Sequence, residues 1–196
     1  MTLGSQPADE RNSDNVVPLR KPNGEAPWAR FDVSAERDEF TNLAGHPWFV
    51  EDVRGAARRR RGGDNPWVAV ARVEGLAGVA ERVGSDATGI AIQAVAVRLH
   101  ESLRAGDQVA RIGPNRFGML VNAPFADEAS AALDRIRHNV RALVEEYPQW
   151  SGLDLRVGFA PLWSEDPEVA IASADAALER ACKPGGHPVI LSTQKR

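Results

Sequence analysis

From Pro47 onward the apolar residues recur with periods that alternate between helix and strand. Phe49, Val50, Val53 and Ala57 fall at helical spacing, and the Gly62-Gly63-Asp64-Asn65-Pro66 cluster is the predicted stop. Trp67–Val73 is a short β-prone run of the kind a buried strand needs, closed by Glu74-Gly75. A short helical piece over Leu76–Val83 leads to Gly84, and Ile92, Val95, Leu99 and Leu103 then stripe a longer helix that Gly106 ends. Asp107–Ile112 and Phe117–Val121, joined by Gly113-Pro114-Asn115, read as a β-hairpin. Ala129, Leu133, Ile136, Val140 and Leu143 stripe a further helix, and Leu153–Phe159 alternates as a half-buried strand does. Asp166-Pro167-Glu168 is a helix start, with Asp as N-cap and Pro in the first turn, for a stripe of Ile171, Ala174, Leu178 and Ala181. Lys183-Pro184-Gly185-Gly186 stops that helix ahead of a last strand at Val189–Leu191. The order predicts an α/β fold, a mixed and mainly antiparallel sheet flanked by helices.

Residues 1 to about 35 mix Pro, Asn, Ser, Gly and charges with no sustained period and are expected to form a disordered tail, with Trp28 and Phe31 as its only aromatics. Residues 36–192 are expected to form one domain, followed by a polar tail at 193–196. With 196 residues and 43% hydrophobic content, the chain can bury one substantial core. It carries no apolar run of the ~20 residues that a spanning helix needs and no signal-peptide pattern, which places it in the cytoplasm with no membrane partner. A net charge of −3 provides no general footprint for nucleic acid. The run Arg58–Arg61 reads first as cations suited to a helix C-terminus. Cys182 has no cysteine partner and reads as a small buried hydrophobe, and His46, His100, His138 and His187 lack metal or triad spacing.

Four segments match one family in order and spacing. Asp38-Glu-Phe-Thr41-Asn-Leu43 is similar to the opening Asp-x-Leu-Thr-x-Leu of GGDEF (diguanylate cyclase) domains. Arg104-Ala-Gly-Asp107-Gln-Val-Ala-Arg111-Ile-Gly113 resembles the lead-in Arg-x-x-Asp-x-Val-Ala-Arg-x-Gly. Leu155–Ala160 resembles the strand Val-Ser-Ile-Gly-Val-Ala, and Ala174–Leu178 the helix Ala-Asp-x-Ala-Leu. The resemblance implies the palm-like α/β sandwich of nucleotidyl cyclases. In that family two GTP molecules are condensed to cyclic di-GMP at the first strand and the hairpin turn, with divalent metal held against developing charge.

The catalytic part of the resemblance breaks down at specific residues. Metal needs carboxylate oxygens, which the family supplies from the first strand and from Gly-Gly-Asp-Glu-Phe. Here that signature reads Gly113-Pro114-Asn115-Arg116-Phe117, and the first-strand motif aligns with Arg72-Val73-Glu74, leaving Glu74 as the remaining acid. A guanidinium has no lone pair for a metal, so no metal site and no cofactor are expected, and magnesium enters only if the cyclase reading holds. Pro114 removes an amide donor, and the positions of the family's guanine-reading Asn and Asp fall near Ala80 and Gly89. Its phosphate-binding Lys aligns with Cys182, beside Lys183. Arg72 and Arg116 either pair with nearby acids such as Glu74 or face the old phosphate position and bind an anion.

Arg104 and Asp107 stand where the family carries its inhibitory Arg-x-x-Asp site for cyclic di-GMP. Arginine can fork onto guanine O6 and N7 or onto a phosphate, and aspartate can accept from the guanine N1–H and N2–H edge. The same two residue types also suit a helix exit. A complete ligand site needs a second arginine, with Arg135 and Arg137 among the candidates. The resemblance therefore implies a non-catalytic signalling module that receives cyclic di-GMP through Arg104 and Asp107 or serves as a ligand-free protein-interaction scaffold. A residual diguanylate cyclase is the enzyme alternative. A protein partner is expected, and a homodimer is left open.

Overall fold

A computed structural model describes residues 31–60 and 65–193. Five strands form one sheet: β1 (Pro66–Glu74), β2 (Gln108–Gly113), β3 (Arg116–Asn122), β4 (Asp154–Pro161) and β5 (Val189–Leu191). Their spatial order is β2-β3-β1-β4-β5, antiparallel throughout except for the β4–β5 pair. Central β1 is buried along most of its length, which explains its near-continuous apolar run. Its residues alternate between faces. Val68 and Val70 join the core under α1 (His46–Arg59) and α6 (Pro167–Ala181), whereas Trp67, Ala69, Ala71 and Val73 face the larger core. That larger core lies under α2 (Leu76–Val83), α3 (Ser85–Ser102) and α4 (Ala126–Arg141). Each fully buried Val, Leu, Ile or Phe contributes about 1.5–3 kcal/mol.

A row of small residues sets the spacing on the α1/α6 face. Gly118 of β3 and Gly158 of β4 flank Val70 in register. A Cβ at Gly118 would lie 2.6 Å from the Phe49 ring, and one at Gly158 would lie 2.1 Å from the Leu178 backbone nitrogen. Both helices lie close against the sheet, and a side chain at Gly158 would strike the α6 backbone while one at Gly118 would have to displace the Phe49 ring.

The predicted elements are present, with shifted ends. The first helix was expected to reach Gly62-Gly63, but it ends at Arg59. Arg60 leaves helical geometry, and its Nη1 donates to the Leu162 carbonyl at 2.6 Å. Arg61 to Asp64 lie outside the described residues. The helix expected to end at Gly106 ends at Ser102. The stripe ending at Leu143 is split: α4 closes at Arg141, α5 (Leu143–Glu146) is a single turn, and a 3-10 turn follows at Pro148–Trp150. Trp150 is buried there and stacks on Tyr147 at 4.2 Å, a local anchor that periodicity does not reveal. Asp166 caps α6 as predicted, accepting from Glu168 N at 3.0 Å. Cys182, expected to be buried, is half-buried against the α1/α6 core, because it caps α6 just past the helix's last residue.

The expectation of a disordered tail over residues 1 to about 35 lies outside the described residues as far as residue 30, and so does the polar tail from 194. Phe31 is half-buried, with its ring centroid 5.9 Å from the guanidinium carbon of Arg111.

Candidate functional site

Two groups of residues singled out by the sequence lie at opposite ends of β3. Arg116 at its start faces Arg72, and Asn122 at its end faces Pro66. Six residues at ~3.3 Å each separate them by about 20 Å.

At the first end the hairpin turn is tied to β1 by Asn115, which donates Nδ2 to the Val73 carbonyl at 3.1 Å and accepts from Val73 N at 3.0 Å. Phe117 enters the large core opposite Ala71, and the Pro114 carbonyl accepts from Arg111 Nη2 at 2.7 Å. The side chains that would have to hold metal do something else. Arg72 donates Nε to Glu74 Oε1 at 2.6 Å, with its Nη1 3.8 Å from Glu179 Oε1, and Arg116 pairs with Asp175. Partial burial works against the Arg72 charge, but Glu74, with Glu179 and Cys182, outweighs it and raises the guanidinium above its ordinary value. Burial pushes the Cys182 thiol up, with Arg72 opposing. Ala80 lies on α2 and Gly89 is buried in α3, and neither offers a side-chain hydrogen bond to a base. Among the described residues, no group of three or more His, Cys, Asp or Glu side chains could hold a metal ion. The residues present therefore do not fit a divalent metal, since Arg72 and Arg116 would repel it.

Sequence reading missed Arg156, which stands directly opposite Arg72 on β4 and donates to the Gly186 carbonyl at 3.2 Å. The available signal was its place as a charged residue in the alternating strand Leu153–Phe159. It also missed that Asp38 and Arg111, from two separate motif segments, form one buried ion pair at 3.0 Å.

At the other end, α3 exits through Arg104–Asp107, with Gly106 at φ 93°. Asp107 Oδ2 accepts from Arg104 N at 3.2 Å and Oδ1 from Asn122 N at 3.0 Å, while Asn122 Nδ2 donates to the Gly106 carbonyl at 2.8 Å. The turn is thus held rigid by its own aspartate and by β3, and the Arg104 side chain is exposed. Beside it a cleft of ≈ 190 Å³ is lined by Arg59, Arg60, Gly106, Gln108 and Asn122. Gln108 Oε1 is buried there with no hydrogen-bond partner. Arg137 lies at the far end of the sheet, bonded to Asp154 at 2.8 Å, and Arg135 is exposed on α4.

An antiparallel core sheet with a parallel edge strand, two helices on one face and the remainder on the other, and a hairpin turn beside the end of the central strand define the palm-like nucleotidyl-cyclase class. The family model for "Diguanylate cyclase, GGDEF domain" matches residues 35–187, and the chain belongs to the GGDEF domain family. Among curated relatives, the probable diguanylate cyclase DgcT of Escherichia coli (strain K12) is 26% identical over 166 residues, which cover 80% of this chain and 36% of DgcT. The chain therefore spans about a third of that relative's length. The solved GGDEF domain of DgcB from Caulobacter crescentus, in complex with c-di-GMP, superposes with a TM-score of 0.69 at 22% identity. That match covers 84% of this chain and all of the other. Diguanylate cyclase SiaD from Pseudomonas aeruginosa, solved with its activator SiaC, gives 0.68 at 22% identity over 81% of this chain and 62% of that one. Likeness at these identities establishes the fold. No helix among the described residues is long and apolar enough to cross a membrane.

Proposed function

We propose that residues 36–192 form a non-catalytic GGDEF module of cytoplasmic signalling that binds cyclic di-GMP at Arg104 and Asp107. The observation that carries the non-catalytic part is the Arg72–Arg116 pair: where carboxylates would hold metal, two guanidinium groups stand opposite each other, each already bound to an acid. The binding part is supported by the exposed Arg104 side chain, by the cleft that brings Arg59 and Arg60 to the same turn as second-arginine candidates, and by the cyclic di-GMP held by the DgcB relative. Arg104 would fork onto guanine O6 and N7 or onto a phosphate, and Asp107 would accept from the guanine N1–H and N2–H edge.

The test is calorimetric titration with cyclic di-GMP, alongside product assays with GTP and Mg²⁺ or Mn²⁺. Binding is expected, with no product from either metal. Arg104→Ala removes charge-assisted bonds of ~1.5–3 kcal/mol each, lowering affinity roughly tenfold to a hundredfold per bond. Metal-dependent product above background overturns the non-catalytic reading. Unchanged affinity in Arg104→Ala, or no binding at millimolar ligand, overturns the receptor reading. A second reading, a protein-interaction scaffold without ligand, is favoured by one observation: both Asp107 carboxylate oxygens already accept from backbone N–H groups. Its partner would be a signalling protein or a second copy of the chain.

A further inference from the structure

The solvent face of α3 leaves an apolar stripe exposed. Ile90 and Val97 are 49% and 56% exposed and stand two turns apart on one line of the helix, with half-buried Gln93 and Ala94 between them. The line ends in a carboxylate on each side, at exposed Asp86 and Glu101. Single apolar residues at a surface are ordinary, and this stripe is set apart by the part of the chain that arrives beside it.

The described chain begins at Phe31, which lies on the same side of the sheet as α3. Val109 of β2 belongs to the larger core, and Arg111, two residues on, points to the same face. The rings of Phe31 and Phe40 have their centroids 5.9 Å and 5.3 Å from the Arg111 guanidinium carbon. Phe40 is in turn tied to α3, its carbonyl accepting from Gln93 Nε2 at 3.0 Å. Gln93 neighbours both Ile90 and Val97 on the helix surface, so the leading segment reaches the margin of the stripe.

Immediately ahead of Phe31 the sequence reads Ala26-Pro27-Trp28-Ala29-Arg30. Three extended residues span about 10 Å, enough to carry Trp28 from Phe31 onto the face of α3. Tryptophan offers the largest apolar surface of any side chain, and alanine at position 29 leaves it unobstructed. Lys21 and Arg30 bracket the stretch, with Glu25 its one acid, so its excess of charge is opposite to that of Asp86 and Glu101. A segment already tethered at Phe31 also meets α3 at a high effective concentration, which a separate molecule does not.

We infer that Trp28 docks on the Ile90–Val97 stripe, with Arg30 toward the acids at its ends, so that residues 26–30 cover the solvent face of α3. The expectation of an unanchored tail then holds only ahead of this stretch. Neither cyclic di-GMP binding nor the absence of catalysis bears on the contact.

The experiment is limited trypsin digestion of the full chain, with the rates of cleavage after Arg30 and after Arg11 followed by mass spectrometry. Docking shields the bond after Arg30 and leaves the one after Arg11 as an internal reference. Trp28→Ala is expected to speed cleavage after Arg30 about tenfold and to leave the rate at Arg11 unchanged, because cleavage follows the fraction of undocked chain. Val97→Asp, made at an exposed position of α3 and outside the segment, should give the same rise, and the two changes together should add nothing to either alone. The wild-type rate should hold on roughly hundredfold dilution, since the contact lies within one chain. Equal rates after Arg30 in wild type and both variants, additive effects of the two changes, or protection that disappears on dilution and so belongs to a second copy of the chain would each overturn the inference.

Discussion

Asp38→Ala is a stringent test of how the segment ahead of α1 is joined to β2. Arg111 is fully buried, at 0% side-chain exposure, and Asp38 is 8% exposed. Arg111 Nη1 reaches both Asp38 oxygens, at 3.0 and 3.1 Å, and Nη2 donates to the Pro114 carbonyl at 2.7 Å. The guanidinium carbon lies 5.9 Å and 5.3 Å from the ring centroids of Phe31 and Phe40. Asp38 also accepts from Thr41 N at 2.8 Å and Thr41 Oγ1 at 2.6 Å. Removing one member of a buried ion pair costs about 3–5 kcal/mol. A domain of this size holds about 5–15 kcal/mol in total, so the melting temperature should fall by about 6–20 °C. Arg111→Met should be costly as well, but combining the two changes removes both charges, and the pair should cost less than the sum by about 1–3 kcal/mol. Urea unfolding of the four proteins measures this. A double variant additive to within about 0.5 kcal/mol, or an Asp38→Ala loss below about 1 kcal/mol, would refute the account of a tightly coupled buried ion pair.

Gly158→Ala should be more damaging than Gly118→Ala: the first meets the backbone of α6, which cannot yield without moving the helix, and the second meets the Phe49 ring, which can turn. Thermal melts compare them, and equal losses would show that α6 is not seated on the Gly158 backbone. Asp52 has its pKa raised above 3.8 by burial, with Arg59 opposing. The stability tied to its neutral form is complete below the unfolded value and is lost as pH rises through the higher folded one. Asp52→Asn should therefore be more stable than wild type at pH 7, with the gain fading toward pH ~3.8. A gain of the same size in urea midpoints at both pH values would rule this out.

Element order and type were legible because period-2 and period-3.6 stripes survive burial on both faces of one sheet. Boundaries were less so. Arg60 leaves the helix for a carbonyl 102 residues away, which no local signal encodes. That arginines stand at the end of the first strand and in the hairpin turn was legible from the sequence, and their pairing with nearby acids was one of the two readings it left open. That Arg116 would choose Asp175, 59 residues on, could not. That Arg156 stands opposite Arg72 follows only from strand register, a property of the folded sheet. Asp107 shows the converse: its residue type fits a ligand contact and a helix exit equally well, and the structure adds that its oxygens already serve the turn.

The segment ahead of α1 does more than present Asp38. Ala44 forms a parallel bridge to Ala110, and its carbonyl accepts from Arg111 N at 2.8 Å, along the outer margin of β2. A sheet margin left bare is a template on which a foreign strand can be laid, and here the chain's own leading segment occupies part of that template. Strand addition by another protein is thereby obstructed where Ala44 sits, beside Ala110 and Arg111.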